Sequence, residues 1–245
     1  MKSTEGILKY LKQLDARAAV VAISAGDGVK HILHVDETHD SETIVHPRRK
    51  EEFLLGRTAA HSALRQLGSE ELVAVRRGAR NEPIWPDGFT GSITHCYPWT
   101  VVAVARRQQI RAIGIDLENM ERMKTEDVRG VICGPAELNW VAERDSVERL
   151  TRLFSAKEAI FKALYPLCSR YFDFLDVELK WTKSADGFSG ALLTTLSSDL
   201  IRGFGFRVVS HRSDQMIFSY LIAGLTVSKC APCAAGSEIQ REVSD

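Results

Sequence analysis

The stretch Gly114-Ile115-Asp116-Leu117-Glu118 places two carboxylates inside an otherwise apolar segment. It follows the apolar run Val101–Ala105, and its alternation predicts the end of a β-strand. Asp116 and Glu118 then share one face, while the isoleucine and leucine beside them point into a core. Paired carboxylates repel unless a cation lies between them. A divalent ion with oxygen ligands is the simplest answer, because Mg²⁺ binds through a few carboxylates together with substrate phosphates.

A second informative stretch is Phe154-Ser155-Ala156-Lys157-Glu158-Ala159-Ile160-Phe161-Lys162-Ala163-Leu164. It lacks Gly and Pro and repeats apolar residues at helical spacing, which predicts an α-helix. Its small residues lie opposite its aromatic ones, so no ordinary solvent face remains, and Lys157, Glu158 and Lys162 flank the aromatic arc. Glu158 and Lys162 are neighbours on the helix. They form either a surface ion pair or a third metal-binding acid beside a lysine that meets phosphate.

These two stretches resemble the signature motifs of the 4'-phosphopantetheinyl transferases of the surfactin-synthetase and enterobactin-synthetase type. Three more segments resemble other elements of that family, in the family's order. They are Arg49-Lys50-Glu51-Glu52-Phe53-Leu54-Leu55-Gly56-Arg57, Arg80-Asn81-Glu82-Pro83-Ile84-Trp85-Pro86 and Gly91-Ser92-Ile93-Thr94-His95. Each element alone is a weak signal, but five in order are specific.

The resemblance implies transfer of the phosphopantetheine arm of coenzyme A to a serine of an apo acyl or peptidyl carrier protein, which releases 3',5'-ADP. It also implies that Asp116, Glu118 and Glu158 hold Mg²⁺, or Mn²⁺, against the pyrophosphate. Glu158 would be the general base, acting directly or through a water molecule held by the metal. Lys162 would neutralise charge on the departing phosphate, and Lys157 would support the same oxygens.

The basic motifs would bind coenzyme A. By the resemblance, Arg49, Arg57 and Arg80 meet its phosphates, and Thr94 with His95 meets the 3'-phosphate. Guanidinium groups suit phosphate oxygens, so the chemistry agrees with this mapping. Thr94 stands where many members have serine, which preserves the hydroxyl. His95 is also expected to serve catalysis.

The expected fold class is α+β. The resemblance implies two similar α+β subdomains related by a pseudo-twofold axis, with the active site in the cleft between them, a common place for cofactor sites. We expect residues 1–112 to supply the coenzyme A contacts and residues 113–229 to supply the metal site and catalytic helix. Residues 230–245 are expected to form a disordered tail.

Local patterns predict the individual elements. Val20–Ile23 and Val29–Val35 flank the turn residues Gly26-Asp27-Gly28 and so predict a hairpin. Further strands are predicted at Val101–Ala105, Ile113–Leu117, Val177–Trp181, Gly190–Leu196, Phe204–Ser210 and Ile217–Leu225. Helices are predicted at Arg48–Leu67, Pro135–Glu148 and Leu150–Tyr165.

The amino-acid composition bears on the expected partners and location of the protein. The 245-residue chain has 32 basic and 32 acidic residues, so no overall positive field indicates a nucleic-acid partner. No segment resembles a secretory signal or a membrane span. The five cysteines are scattered, which favours the cytoplasm, and Cys230 and Cys233 are interpreted as incidental tail residues. We expect a cytoplasmic monomer without a membrane partner.

The sequence leaves open another class of carrier and another function, and it predicts a surface for carrier docking. The carrier partner could belong to fatty-acid or lysine metabolism rather than to peptide or polyketide synthases. The chain could also be a coenzyme A-binding scaffold or sensor without turnover, although three retained acids and Lys162 argue against that. We expect carrier recognition at Asn119–Lys124 with Arg129 and Val131, where Met120 and Met123 would be exposed beside basic residues.

Overall fold

The computed structural model describes residues 14–124 and 128–224. The helices are α1 Val35–Glu42, α2 Pro47–Gln66, α3 Met120–Met123, α4 Arg129–Ile132, α5 Pro135–Glu143 and α6 Ser146–Cys168. The strands are β1 Ala18–Ser24, β2 Arg76–Arg77, β3 Pro83–Ile84, β4 Phe89–Cys96, β5 Trp99–Arg106, β6 Ala112–Asn119, β7 Val177–Thr182, β8 Gly187–Leu192, β9 Gly205–Ser213 and β10 Met216–Ala223. The mixture confirms the α+β class.

Two antiparallel sheets organise these elements. The first has the strand order β1-β5-β4, and the second has the order β6-β10-β9-β8-β7. Helix α2 packs on the first sheet through Ala59, Ala60 and Ala63. Helix α6 packs on the second sheet through Ala156 and Ile160 among others. Small residues on both helices let the helix backbones approach their sheets closely.

Strand β6 lies between helix α6 and the first sheet. Its residues Ile115 and Leu117 face a core that includes Val101 and Ala103 of β5. On the opposite face, a Cβ atom at Gly114 would lie 1.9 Å from the carbonyl oxygen of Ala159 in α6. Only glycine therefore allows α6 to pack this closely against β6. This contact brings the α6 side chains next to the carboxylates of β6.

The structure confirms the long helix near residues 48–67 and the strands of the second sheet. The predicted hairpin at Val20–Ile23 and Val29–Val35 is wrong, because β1 pairs with β5 instead. The turn residues form a short 3₁₀ helix, in which Asp27 accepts a hydrogen bond from the Ser24 backbone. The helix predicted to reach Glu148 ends at Glu143, since α6 begins after Asp145, which has positive φ.

Some expectations stay untested. The pseudo-twofold relation is not confirmed, and the subdomain boundaries at residues 112 and 229 stay predictions. The expected disordered tail, with Cys230 and Cys233, lies outside the described residues, as do residues 1–13.

Candidate active site

Three acids meet at the contact between β6 and α6. Asp116 is only 3% exposed, Glu118 is half-buried, and Glu158 approaches from α6. The Asp116 Oδ1 atom accepts hydrogen bonds from Lys162 Nζ at 2.6 Å and from the Thr94 hydroxyl at 3.2 Å. Its Oδ2 atom is buried and has no hydrogen-bond partner among the described residues. A buried carboxylate oxygen left in this state is suited to a cation.

The pKa values of Glu118, Glu158 and Lys162 reflect how close together these charged groups lie. Burial, reinforced by the charge of Asp116, raises the pKa of Glu118 to about 7. Burial also raises the pKa of Glu158, although Lys162 opposes this rise. Burial works against the charge of Lys162, but the carboxylates of Asp116 and Glu158 outweigh it and raise the lysine pKa. The carboxylates therefore repel one another, and Lys162 together with Arg122, which lies 3.7 Å from Glu118, offsets part of this repulsion.

The chemistry of these acids suits a divalent cation, although their arrangement in this structure does not form a metal site. Across residues 14–124 and 128–224, no three His, Cys, Asp or Glu side chains are arranged to hold a metal ion. Lys162 instead contacts Asp116, the most buried of the acids. The three carboxylates, one of which has an unpaired buried oxygen, supply the hard oxygen ligands that Mg²⁺ takes. The residue types present are therefore compatible with the expected metal.

A cleft of about 710 Å³ opens beside the acids. One wall carries cationic side chains from α2 and the segment around β2 and β3, and the other carries residues of α6. The cationic residues are Arg49, Arg57, Arg77 and Arg80, and the imidazole rings of His46 and His95 lie with them; Glu158, Phe161, Lys162 and Tyr165 face them from α6. The cleft thus joins a wall rich in arginine, suited to phosphate oxygens, to Glu158 of the acid cluster.

His95 is held neutral in this cleft. Burial and nearby cations, foremost Lys162, lower the pKa of His95 to about 3. Its Nδ1 atom lies 3.1 Å from the Thr100 hydroxyl, which fixes the ring. Gly56 of α2 leaves room for it, because a Cβ atom there would lie 3.1 Å from His95 Cε1. The ring can therefore offer its other nitrogen to a ligand.

Arg57 is the most buried cation of the cleft. Burial lowers its pKa to about 10, although the guanidinium remains charged at neutral pH. The group lies 4.4 Å from the centre of the Phe53 ring and donates one hydrogen bond, to the Arg76 carbonyl, at 3.3 Å. Its Nε atom is buried and finds no acceptor in the part of the chain that the structure describes. An anionic ligand would satisfy this donor.

Two predicted phosphate ligands are not placed at the cleft. Thr94 is buried, and its hydroxyl bonds Asp116 and the Leu117 backbone N–H. Lys157 is 1% exposed, and its ammonium donates to Glu137 at 2.7 Å and to three backbone carbonyls, those of Ile132, Phe174 and Val177. Both groups are already occupied by protein partners. The expectation that they contact coenzyme A oxygens stays a prediction, which these protein contacts do not favour.

Several residues that line the cleft were not predicted from the sequence. Arg77, Phe161 and Tyr165 line the cleft, and Arg77 follows Arg76 in a basic run that could have signalled phosphate binding. Arg80 lies 5.3 Å from the centre of the Tyr171 ring. The aromatic lining could not be predicted from α6 alone, since the same residues at helical spacing also fit a core.

The predicted carrier-binding segment is only partly exposed. Met120 and Met123 are 4% and 6% exposed and pack inward, so the expectation of exposed methionines is wrong. Short α3 turns them inward and presents Arg122 and Lys124 to solvent. Val131 on α4 is 59% exposed. The exposed part of this region therefore carries the basic residues Arg122 and Lys124, the acid Glu121 and one apolar residue.

Comparison with known proteins gives the family. A model of the 4'-phosphopantetheinyl transferase N-terminal domain matches residues 41–105, and a model of the 4'-phosphopantetheinyl transferase superfamily matches residues 112–201. The 4'-phosphopantetheinyl transferase Npt of Nocardia iowensis is 37% identical over 69% of this chain and 74% of its own length. The chain belongs to the 4'-phosphopantetheinyl transferase family.

Other relatives of the transferase agree with this assignment. The 4'-phosphopantetheinyl transferase Svp of Streptomyces mobaraensis is 39% identical over 68% of each protein. Enterobactin synthase component D of Salmonella typhi is 33% identical over 60% of this chain and 62% of its own length. The transferase moves the phosphopantetheine arm of coenzyme A to carrier proteins, and the scaffold alternative is not favoured. Within the described ranges, no helix combines the length and apolarity that a bilayer crossing requires.

Proposed function

We propose that the transferase binds the phosphates of coenzyme A on the cationic wall of the cleft and aligns the pyrophosphate with Asp116, Glu118 and Glu158. The supporting observation is that Glu158 and Lys162 line the same cleft as Arg49, Arg57, Arg77, Arg80 and His95. The four arginines attract a polyanion, and the acids can accept a divalent cation. A bound Mg²⁺ or Mn²⁺ would neutralise the pyrophosphate and hold it beside these residues.

Glu158 and Lys162 carry the chemical step in this proposal. The carrier serine oxygen attacks the phosphorus bonded to pantetheine, its proton passes to Glu158, and the bond to 3',5'-ADP breaks. Glu158 takes this proton directly or through a water molecule, since its carboxylate lines the cleft where the serine would enter. Lys162 neutralises the negative charge that develops on the departing phosphate. His95, neutral and held by Thr100, donates a hydrogen bond to a phosphate oxygen of coenzyme A.

The acid assignment is tested by 3',5'-ADP release measured against Mg²⁺ and Mn²⁺ concentration. Asp116→Asn and Glu158→Gln should release no product at any metal concentration, because each removes a ligand or the base. Glu121→Gln is the matched control, since Glu121 is an exposed acid on neighbouring α3 that pairs with Lys124. It should retain the wild-type metal dependence. Metal-dependent turnover in Asp116→Asn would remove Asp116 from the metal site.

Carrier docking is proposed on the exposed part of α3 and α4. Arg122 and Lys124 of this region lie next to the acid cluster, and Arg122 is 3.7 Å from Glu118. Basic residues beside exposed Val131 complement an acidic, partly apolar carrier helix. Lys124→Glu with Val131→Asp should raise the carrier KM at least about tenfold, as expected for lost charge and apolar contacts. The control Val35→Asp alters an exposed valine on α1, which belongs to the part of the fold that carries the first sheet. It should change neither the carrier KM nor the KM for coenzyme A.

Carrier class, assembly and location stay proposals. The matched relatives include an enterobactin synthase component, which supports carriers of siderophore or other peptide assembly over fatty-acid carriers. A monomer is supported because one chain supplies both the cationic wall and the acids. A cytoplasmic location is supported by the free thiols of Cys96, Cys133 and Cys168. Sedimentation at several protein concentrations would test the monomer.

A further inference from the structure

Lys162 contacts the same carboxylate that the proposed metal would use. Its ammonium lies 2.6 Å from Asp116 Oδ1 and is drawn there by Glu158 and Glu118 as well. It belongs at the same time to the lining of the phosphate cleft. The side chain therefore reaches two places, the acid cluster and the space for the ligand's phosphates.

The single ammonium group of Lys162 cannot contact the acid cluster and the ligand's phosphates closely at the same time. Three acids gathered at a buried contact repel one another, so without a divalent cation they need another positive charge. Lysine suits this exchange, because its compact charge sits on a flexible four-carbon stem. A divalent ion on the unpaired Oδ2 of Asp116 would face the ammonium across a single carboxylate. The divalent ion and the ammonium of Lys162 would then repel each other, because both are positive and lie on one carboxylate.

We propose that Lys162 is the resident counter-cation of the acid cluster and that the divalent cation displaces it. This inference rests on the proposed function, because it takes Asp116 as a metal ligand. Displacement turns the ammonium from Asp116 towards the pyrophosphate. Metal binding and phosphate contact are then coupled, since arrival of the metal frees the lysine for coenzyme A.

The test measures Mn²⁺ binding to the full chain without coenzyme A. Electron paramagnetic resonance of free Mn²⁺ at about pH 8, where exposed carboxyl groups are ionised, gives the affinity directly. Lys162→Met should bind Mn²⁺ at least about fivefold more tightly than wild type, the lower range of coupling between two sites. Lys162→Gln keeps a donor to Asp116 without the charge and should bind more tightly too. Lys162→Arg keeps the charge and should stay near the wild-type affinity.

Two controls separate the possible failures. Arg49→Met removes a cleft charge away from the acids and should change the affinity less than about threefold, the scale of screened surface charges. Equal tightening in Arg49→Met and Lys162→Met would overturn the counter-cation role in favour of a general cleft effect. Unchanged Mn²⁺ affinity in folded Lys162→Met and Lys162→Gln would also overturn it. Asp116→Asn tests the proposed function instead, because undiminished Mn²⁺ binding there would refute the metal site itself.

Metal-free stability gives a second readout. Lys162→Met and Lys162→Gln should lower the Tm of the metal-free protein, because the acids lose their counter-charge, and Mn²⁺ should restore it. Wild type should gain less Tm from the same Mn²⁺ concentration, since Lys162 already offsets part of the repulsion among its acids. An equal gain in all three proteins would contradict displacement.

Discussion

The Thr94 hydroxyl in β4 donates a 3.2 Å hydrogen bond to Asp116 in β6 and accepts one from the Leu117 backbone at 3.1 Å. The hydroxyl of Ser92 similarly accepts the Ile115 N–H at 3.1 Å. Side chains of β4 thus take the place of a backbone ladder between the two sheets. Thr94 both joins the sheets and fixes the carboxylate of Asp116, the buried acid of the proposed metal site.

Thr94→Val should therefore act on stability and on Asp116, not on coenzyme A binding. The variant leaves the buried Leu117 N–H without an acceptor, which costs about 1–3 kcal/mol of unfolding free energy. It should lower kcat and metal affinity while the KM for coenzyme A changes little. Urea unfolding and steady-state kinetics check this, with Thr94→Ser as the hydroxyl-retaining control. A raised KM for coenzyme A with full stability would restore the 3'-phosphate role.

Lys157 and Glu137 should behave as a structural pair. Glu137 also accepts backbone N–H groups of Gly134 and Leu179, so the pair ties α5, α6 and β7 together. Removing one charge leaves the other buried and unpaired, and Lys157→Met should cost about 3–5 kcal/mol. Adding Glu137→Leu should recover part of that loss in denaturant unfolding. A stable Lys157→Met that has only lost affinity for coenzyme A would contradict the structural role.

His95 should make the protein acid-sensitive. Its pKa is about 3 in the folded chain, against 6.5 for an ordinary histidine, so the unfolded chain binds the extra proton between these values. The stability from the neutral ring is complete above about pH 6.5 and falls by up to about 1.4 kcal/mol per pH unit as the pH drops towards 3.

This pH effect is measured by urea unfolding at several pH values in wild type and His95→Gln. The difference between the two proteins should narrow on acidification, because glutamine cannot take up the proton. A difference that stays constant with pH would show that His95 is not held neutral.

Substitutions at the adjacent residues Arg48 and Arg49 distinguish loss of a phosphate contact from loss of a surface charge. Both pair with Glu52, Arg48 at 3.2 Å and Arg49 at 3.8 Å, but only Arg49 lines the cleft, whereas Arg48 stacks on Tyr97. Arg49→Ala should raise the KM for coenzyme A about tenfold or more with a smaller change in kcat, because a charged hydrogen bond is lost in ground and transition states alike. Arg48→Ala should change the KM less than about threefold.

Dephospho-coenzyme A tests which phosphate Arg49 meets. With this substrate, wild type and Arg49→Ala should have similar KM values if Arg49 contacts the 3'-phosphate. An equal penalty with both substrates would move the Arg49 contact to the pyrophosphate.

Local patterns predicted much of this site. The alternation of β6 placed Asp116 and Glu118 on one face, and helical spacing placed Glu158 and Lys162 side by side on α6. These relations depend only on the geometry of a single element. The two-sheet arrangement around them was not visible locally, because β1 pairs with β5, which is distant in sequence.

The roles of Lys157 and Thr94 could not be derived in the same way. Both lysines of α6 flank the same arc, and only the position of Glu137 on α5 decides that Lys157 is buried. The hydroxyl of Thr94 finds its partners on another strand. Side-chain partners supplied by distant elements depend on tertiary packing, which no periodicity encodes.

Intact-mass measurement of an apo-carrier incubated with the transferase, coenzyme A and Mg²⁺ tests the central claim most directly. The carrier should gain the mass of one phosphopantetheine group on its serine. Chelation of Mg²⁺ or the Glu158→Gln substitution should abolish the gain, with the variant still folded. A carrier modified to the wild-type extent by Glu158→Gln would contradict the acid site, and an unmodified carrier with active, metal-loaded wild type across several carrier classes would contradict the transfer itself.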